Sequence, residues 1–230
     1  MTSFIDTLTL NIGVVIQYKE LFFRGVVNTI LLTATGLSIG LVLGLILGIG
    51  KLSSRKIFSW PSGIYVTIFR GTPLYIQILI VHLVLIPAIF KMVGIPPPPA
   101  LVSGIVALSL NSAAYIAEIF RGGIKSLDKG QTEAARSLGM TNAQTMRYII
   151  IPQAFKRMLP PLGNEFIALL KDSSLLAVIA VNELSYASTM AYKATFVRPG
   201  PLITVALLYL FLTVMLSFFV KYLERRFETE

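Results

Sequence analysis

The chain is predicted to be all-α, an integral membrane helical bundle of about five transmembrane helices, on three observations. Of its 230 residues 55% are hydrophobic and only 13% are charged, and the mean hydropathy is +0.76, outside the range of a soluble domain. Apolar runs of about 20 residues, the length that crosses hydrocarbon, recur at 26–50, 61–90, 100–120, 159–182 and 201–221. The period-two alternation of barrel strands is absent. A bilayer admits only helices or closed barrels, because an unpaired backbone group finds no water there.

Composition excludes several functions. There is no cysteine and a single histidine, so neither a disulfide, a thiolate metal site nor a histidine cluster can form. The first apolar run is too long and too glycine-rich for a signal segment and reads as a retained span. The net charge of +9 is topological rather than a nucleic-acid footprint. With the N-terminus outside and the C-terminus inside, Lys51, Arg55, Lys56, Arg121, Lys125, Lys129, Arg136, Arg147, Lys156, Arg157, Lys221, Arg225 and Arg226 fall in the cytoplasm. Only Lys19, Arg24, Lys91, Lys193 and Arg198 fall outside, as the positive-inside rule requires.

Residues 1–25 carry Asp6, Lys19, Glu20 and Arg24 among apolar positions, which suits an outer-surface or interfacial segment. The membrane domain then occupies 26–230. Gly36, Gly40, Gly44 and Gly48 form a ridge of small residues on the first span, a surface that another helix backbone can approach closely. Gly50-Lys51 lacks the hydroxyl residue and the earlier glycine of a phosphate loop, so no nucleotide site is expected on this chain. Gly94 and Pro96 to Pro99 stop any helix and make an outer loop.

The most polar stretch, 121–157, is longer than an ordinary connection and predicts two short helices at about 130–150. Thr132 is expected to cap the first, with Glu133 in its first turn and Gly139 as a left-handed stop. Thr141 or Asn142 starts the second. Ala134, Ala135 and Leu138 form one apolar stripe and Met146, Ile149 and Ile150 another. Pro152 is expected to end the second helix, and Pro160-Pro161 to open the fourth span.

Ionisable groups in hydrocarbon cost about 2.5–3.5 kcal/mol each, so those within spans are candidates for function. Counted from the span ends, Arg70, Glu118 and Asp172 lie about ten residues, or about 15 Å, deep. With Lys171 they make a midplane layer of two positive and two negative groups. These could pair with one another or complement an amino acid's carboxylate and ammonium. Gln77, His82, Asn111 and Tyr115 sit nearer the outer half and are candidate substrate-pathway residues. For Asn111 and His82 an interhelical hydrogen bond is the competing assignment. No serine or cysteine nucleophile is paired with histidine, so no catalytic residue is assigned.

Glu133-Ala134-Ala135, Gly139, Ile149 and Pro152 resemble the cytoplasmic signature of permease subunits of ATP-binding-cassette importers, with Ile151 where the signature has leucine. Arg70-Gly71-Thr72-Pro73, Ala113 to Ile124, Gly130-Gln131, Pro152-Gln153-Ala154 and Lys171 to Leu175 are similar to the polar amino-acid branch (histidine, glutamine and arginine permeases), with Ser173 in place of threonine. The resemblance implies a type I importer in the bacterial cytoplasmic membrane. Its partners would be two cytoplasmic P-loop ATPase subunits, a second permease copy or sister permease, and an extracytoplasmic substrate-binding protein that delivers a polar amino acid. ATP and Mg would bind on the ATPase, and no cofactor or metal on this chain. The two short helices would be coupling helices, with Glu133, Ala134, Ala135, Leu138 and Gly139 at the ATPase contact. The resemblance also favours an ion-pair or gate role for Arg70, Glu118 and Asp172, since that family carries them whatever the substrate. The rival is a self-contained ion-coupled transporter or channel, and a non-transporting membrane scaffold is a third reading.

Overall fold

A computed structural model describes residues 4–227. The outermost residues of the expected 1–25 segment and 26–230 domain, and the side chain of Asp6, lie outside the described residues. Every regular element among the described residues is helical: α1 Phe4–Gln17, α2 Lys19–Leu52, α3 Lys56–Gly71, α4 Leu74–Ile80, α5 Ile86–Val93, α6 Ala100–Lys125, α7 Lys129–Ser137, α8 Asn142–Thr145, α9 Ile151–Asp172, α10 Leu184–Thr195 and α11 Pro199–Phe227. Wide π turns at Val81–Leu85 and Met146–Ile150 join α4 to α5 and α8 to α9, and a 3-10 segment, Ser173–Ile179, follows α9.

Four helical stretches are long and apolar enough to cross a membrane: Lys19–Leu52, Leu74–Val93, Ala100–Lys125 and Pro199–Arg226. The helical bundle is as predicted, but four such stretches stand where about five were expected: 159–182 is not among them, and 61–90 has different bounds. The 61–90 run breaks at Thr72-Pro73. Proline forces the residue before it out of the helical region, and Thr72 is extended at φ −120°, ψ 147°. The 159–182 run is not one helix either. Its α-helix ends at Asp172, tightens to 3-10 and stops at Ala180, which is left-handed at φ 57°. The boundary expected at residue 25 falls inside α2, because Lys19, Glu20 and Arg24 sit in its first turns where helix continuity costs little.

The described residues divide into two compact units, one built from 1–36, 74–108 and 168–215, the other from 37–73, 109–167 and 216–230. In the first, Phe22 of α2 packs with Leu184, Ala187 and Ala191 of α10 and Val205 of α11. Glu183, fully buried, caps α10 by accepting the amides of Ser185 and Tyr186 at 2.7 Å each and the Tyr209 hydroxyl at 2.7 Å. A buried carboxylate survives only when donors replace water, and three do so here.

In the second unit the predicted glycine ridge meets α6. A Cβ on Gly40 would lie 2.9 Å from Ser112 Cβ, on Gly44 2.7 Å from Ile116 Cβ, and on Gly48 2.8 Å from the Phe120 ring. The partners advance four residues for every four along the ridge, so α2 and α6 run parallel, with backbone close to backbone. Gly36 stands in the same relation to Leu108 in the first unit. A second core in this unit gathers Leu127, Ile150, Ala154 and Met158.

Candidate functional site

The ion pairs among the described residues all converge on Glu118 of α6. The Lys51 ammonium, in the last turn of α2, donates to its Oε1. Arg121 Nε lies 3.1 Å from both carboxylate oxygens and its Nη2 2.7 Å from Oε2. Arg70 Nη1, in the last turn of α3, lies 3.7 Å from Oε2. The Arg70 guanidinium also stands 5.3 Å from the centre of the Tyr115 ring, within reach of the ring's quadrupole. Tyr115 and Glu118 are three residues apart on one helical face, so α6 supplies the floor of the node.

Local sequence explains why the cations end there. Lys51 and Arg70 both close helices, where positive charge complements the carbonyl end of the dipole. Pro73 fixes where α3 stops, and Thr72 Oγ1 donates back to the Ile68 carbonyl at 2.8 Å. Side-chain exposure grades the three cations, Lys51 25%, Arg121 30% and Arg70 44%, around a carboxylate exposed only 15%. One anion against three cations leaves two positive charges in excess. Arg70 is the loosest of the three.

This corrects the expected layer. Lys51 was expected in the cytoplasm and Glu118 in a midplane layer, yet the two bond, the Lys51 side chain reaching Glu118 from the last turn of α2. Lys171 and Asp172 belong to the first unit and are absent from the ion pairs of Glu118. Lys51 and Arg121 were not among the candidates. The spacing of Arg121 three residues after Glu118 could have found it, whereas nothing in the sequence ties Lys51 to α6.

The pathway candidates divide between the units. Gln77 and His82 lie in the first, Asn111 and Tyr115 in the second. Gln77 and Asn111 are buried, 6% and 5% exposed. His82 sits in the π turn with Nδ1 3.0 Å from the Ser103 hydroxyl, which is the interhelical hydrogen bond weighed against a pathway role. Tyr115 is the exposed member at 36%.

The expected pair of short helices is present with its caps rearranged. Asp128, not Thr132, caps α7, its side chain accepting the Gly130 amide at 2.8 Å. α7 begins one turn earlier than expected, and Asp128-x-x-Gln131 is the sequence signal that could have placed it. Gly139 is left-handed at φ 81°. The Met140 amide donates to the Ala135 carbonyl at 3.1 Å and the Gly139 amide to the Arg136 carbonyl at 3.0 Å, the paired bonds of a Schellman stop. Thr141 and Gln144 close a reciprocal capping box at 2.8 Å and 3.2 Å.

Pro152 does not end the second helix. The π turn widens the backbone just before it, the Ile151 amide reaching the Met146 carbonyl, and α9 continues from Ile151. Pro160-Pro161 likewise lie inside α9 rather than opening a span. The apolar stripes also divide. Ala135 is 4% exposed and Ile149 and Ile150 join the unit's own core, while Leu138 projects at 84%, with Glu133 and Ala134 exposed beside it. Ala134 and Leu138, four apart, share the outward face.

Residues 40–229 match the family described as binding-protein-dependent transport system inner membrane component. The chain is 35% identical to an arginine transport system permease of Bacillus subtilis (strain 168), over 96% of this chain and 99% of that one. It is 37% identical to a glutamine transport system permease of Escherichia coli (strain K12), over 90% and 92%. The crystal structure of an amino acid ABC transporter with histidines superposes with a TM-score of 0.86 at 39% identity, covering 98% of this chain and 100% of that chain. The chain belongs to the family of inner-membrane components of binding-protein-dependent transport systems. It is a multi-pass ABC permease subunit and not itself an enzyme.

Proposed function

We propose that the chain imports a polar amino acid across the bacterial cytoplasmic membrane, coupled to ATP and Mg2+ on two separate P-loop ATPase subunits. It works beside a second copy or a sister permease and receives substrate from an extracytoplasmic binding protein. The N-terminus lies outside and the C-terminus inside, as the lysine and arginine asymmetry requires. The observation that carries the coupling role is the α7–α8 hairpin, stopped by Gly139, capped at Thr141 and presenting Leu138 outward. A short helix capped at both ends moves as a body and transmits displacement. Glu133, Ala134, Leu138 and Gly139 shape the ATPase contact, and Ala135 seats the hairpin on its own chain. Arg70 and Glu118 act as a gate in the transport path, with Tyr115 beside them. Lys171, Asp172, Gln77, His82 and Asn111 line or support the path.

Purification from the native membrane in mild detergent, followed by mass spectrometry and an ATPase assay, tests this reading. A P-loop ATPase in near-equal amount, and amino-acid uptake that needs it, are the expected results. An intact permease oligomer that takes up amino acid with no ATPase present overturns the reading in favour of ion coupling.

A further inference from the structure

A cavity of about 190 Å3 lies within the second unit, between α2, α9 and α11. Leu37 and Leu41 of α2, Leu162 and Phe166 of α9, and Phe219 and Leu223 of α11 line it. One close approach closes its inner side. A Cβ on Gly163 of α9 would overlap Val220 of α11, and Val220 is itself buried. Leu41 and Phe219, by contrast, are 38% and 55% exposed, so the cavity opens between them toward hydrocarbon. The lining carries one ionisable group, Glu224, half-buried near the end of α11. It pairs with no cation among the described residues, although Lys221 stands three residues before it and Arg225 directly after it.

Cations ring the same end. Arg226 lies seven residues after Phe219, and Lys156 seven before Gly163, so each continues a helix face that lines the cavity. The charge asymmetry puts the start of α9 and the end of α11 on the cytoplasmic side. Measured along the helices from the contact of Gly163 with Val220, Lys156 and Arg226 then both stand about 10 Å toward that side. Exposed Tyr222 is beside them, as aromatic residues at headgroup level are. We propose that the cavity holds an acyl chain of an inner-leaflet phosphatidylethanolamine, whose phosphate meets Lys156 and Arg226 and whose primary ammonium meets Glu224; this uses the orientation above, not the solute or the ATPase. Charge complementarity selects the occupant. An anionic lipid would set Glu224 against a like charge, and an apolar helix of another copy would leave it unpaired at the edge of hydrocarbon. A headgroup that carries phosphate and ammonium together satisfies both signs.

The complete permease complex, purified in mild detergent, is titrated with phosphatidylethanolamine or phosphatidylglycerol of the same acyl chains, and native mass spectrometry reads the bound lipid. One lipid per permease copy is expected, with phosphatidylethanolamine held at least tenfold more tightly. Glu224→Lys is expected to reverse that preference, a result that loss of fold cannot produce. Leu223→Trp fills the cavity and is expected to abolish binding of both lipids, while Arg226→Ala weakens both. Equal affinity for the two lipids in the unaltered complex overturns the proposal. So does a Glu224→Lys complex with the original preference, or a Leu223→Trp complex that binds as before. A photoreactive side chain at Leu41 is expected to cross-link to lipid, and cross-linking to a second permease copy instead overturns the proposal in favour of a protein interface. Protease access to the C-terminus in sealed vesicles reads the orientation separately, so an error there is told apart from a failure of lipid binding.

Discussion

The guanidinium of Arg70 lies 3.7 Å from the carboxylate of Glu118, the same carboxylate that Lys51 and Arg121 already hold. Their roles are unequal. Glu118 is the shared partner, and removing its charge leaves three cations facing one another. Glu118→Gln is expected to cost about 1.5–3 kcal/mol, the range for losing hydrogen bonds to a charged group. Arg70→Ala gives up a long, exposed contact and is expected to cost about 0.5 kcal/mol. Thermal unfolding of the purified chain in detergent reads the order, with Lys51→Ala and Arg121→Ala between. Equal losses for Glu118→Gln and Arg70→Ala would remove Glu118 from the centre of the node. If Arg70 gates, its alanine variant loses uptake while keeping its unfolding midpoint.

Gly139 occupies a left-handed stop that opens into free space, so a side chain there is strained without being crowded. Gly139→Ala is expected to cost about 1 kcal/mol, and the β-branched Gly139→Val more. Because the hairpin is exposed, the loss should appear as faster amide exchange at residues 129–145 and as ATP turnover no longer matched by uptake. Normal uptake with normal ATPase stimulation in Gly139→Val would overturn the coupling role.

Asp128 and Thr132 make a paired test of the α7 cap. Asp128→Ala should cost about 1 kcal/mol, read as faster exchange of the Gly130 and Gln131 amides. Thr132→Ala, within the helix, should stay within about 0.5 kcal/mol of wild type. The reverse order would return the helix start to Thr132. Thr141→Ala is expected to loosen α8 by an amount similar to the Asp128 variant.

The glycine ridge predicts a contrast between helix faces. Gly44→Ala places a methyl 2.7 Å from Ile116 Cβ, against a β-branched side chain and a carbonyl, so α2 and α6 must part and the yield of folded chain in detergent should fall. Gly63→Ala, in α3, meets nothing within 4 Å and should be neutral or gain about 0.5–1 kcal/mol from helix propensity. Comparable yields from both variants would mean that the close approach is dispensable.

Sequence alone determined the bundle, because long apolar runs have no other stable form in hydrocarbon. It also marked the helix ends at Gly94 and Gly139 and a helix start at Thr141 or Asn142, features that depend on neighbours within a few residues. The α2 ridge was legible as a packing surface, since glycine spacing is a local property of one helix. Only the tertiary structure decided that the ridge meets α6, that Lys51 and Glu118 bond across distant segments, and that Ala135 turns inward while Leu138 turns out. It also overrode the local signals of Pro152 and Pro160-Pro161, where a wide turn and the packing of α9 carry the helix through. Such outcomes depend on which surfaces meet, and side chains far apart in sequence compete for the same partner only after the chain has folded.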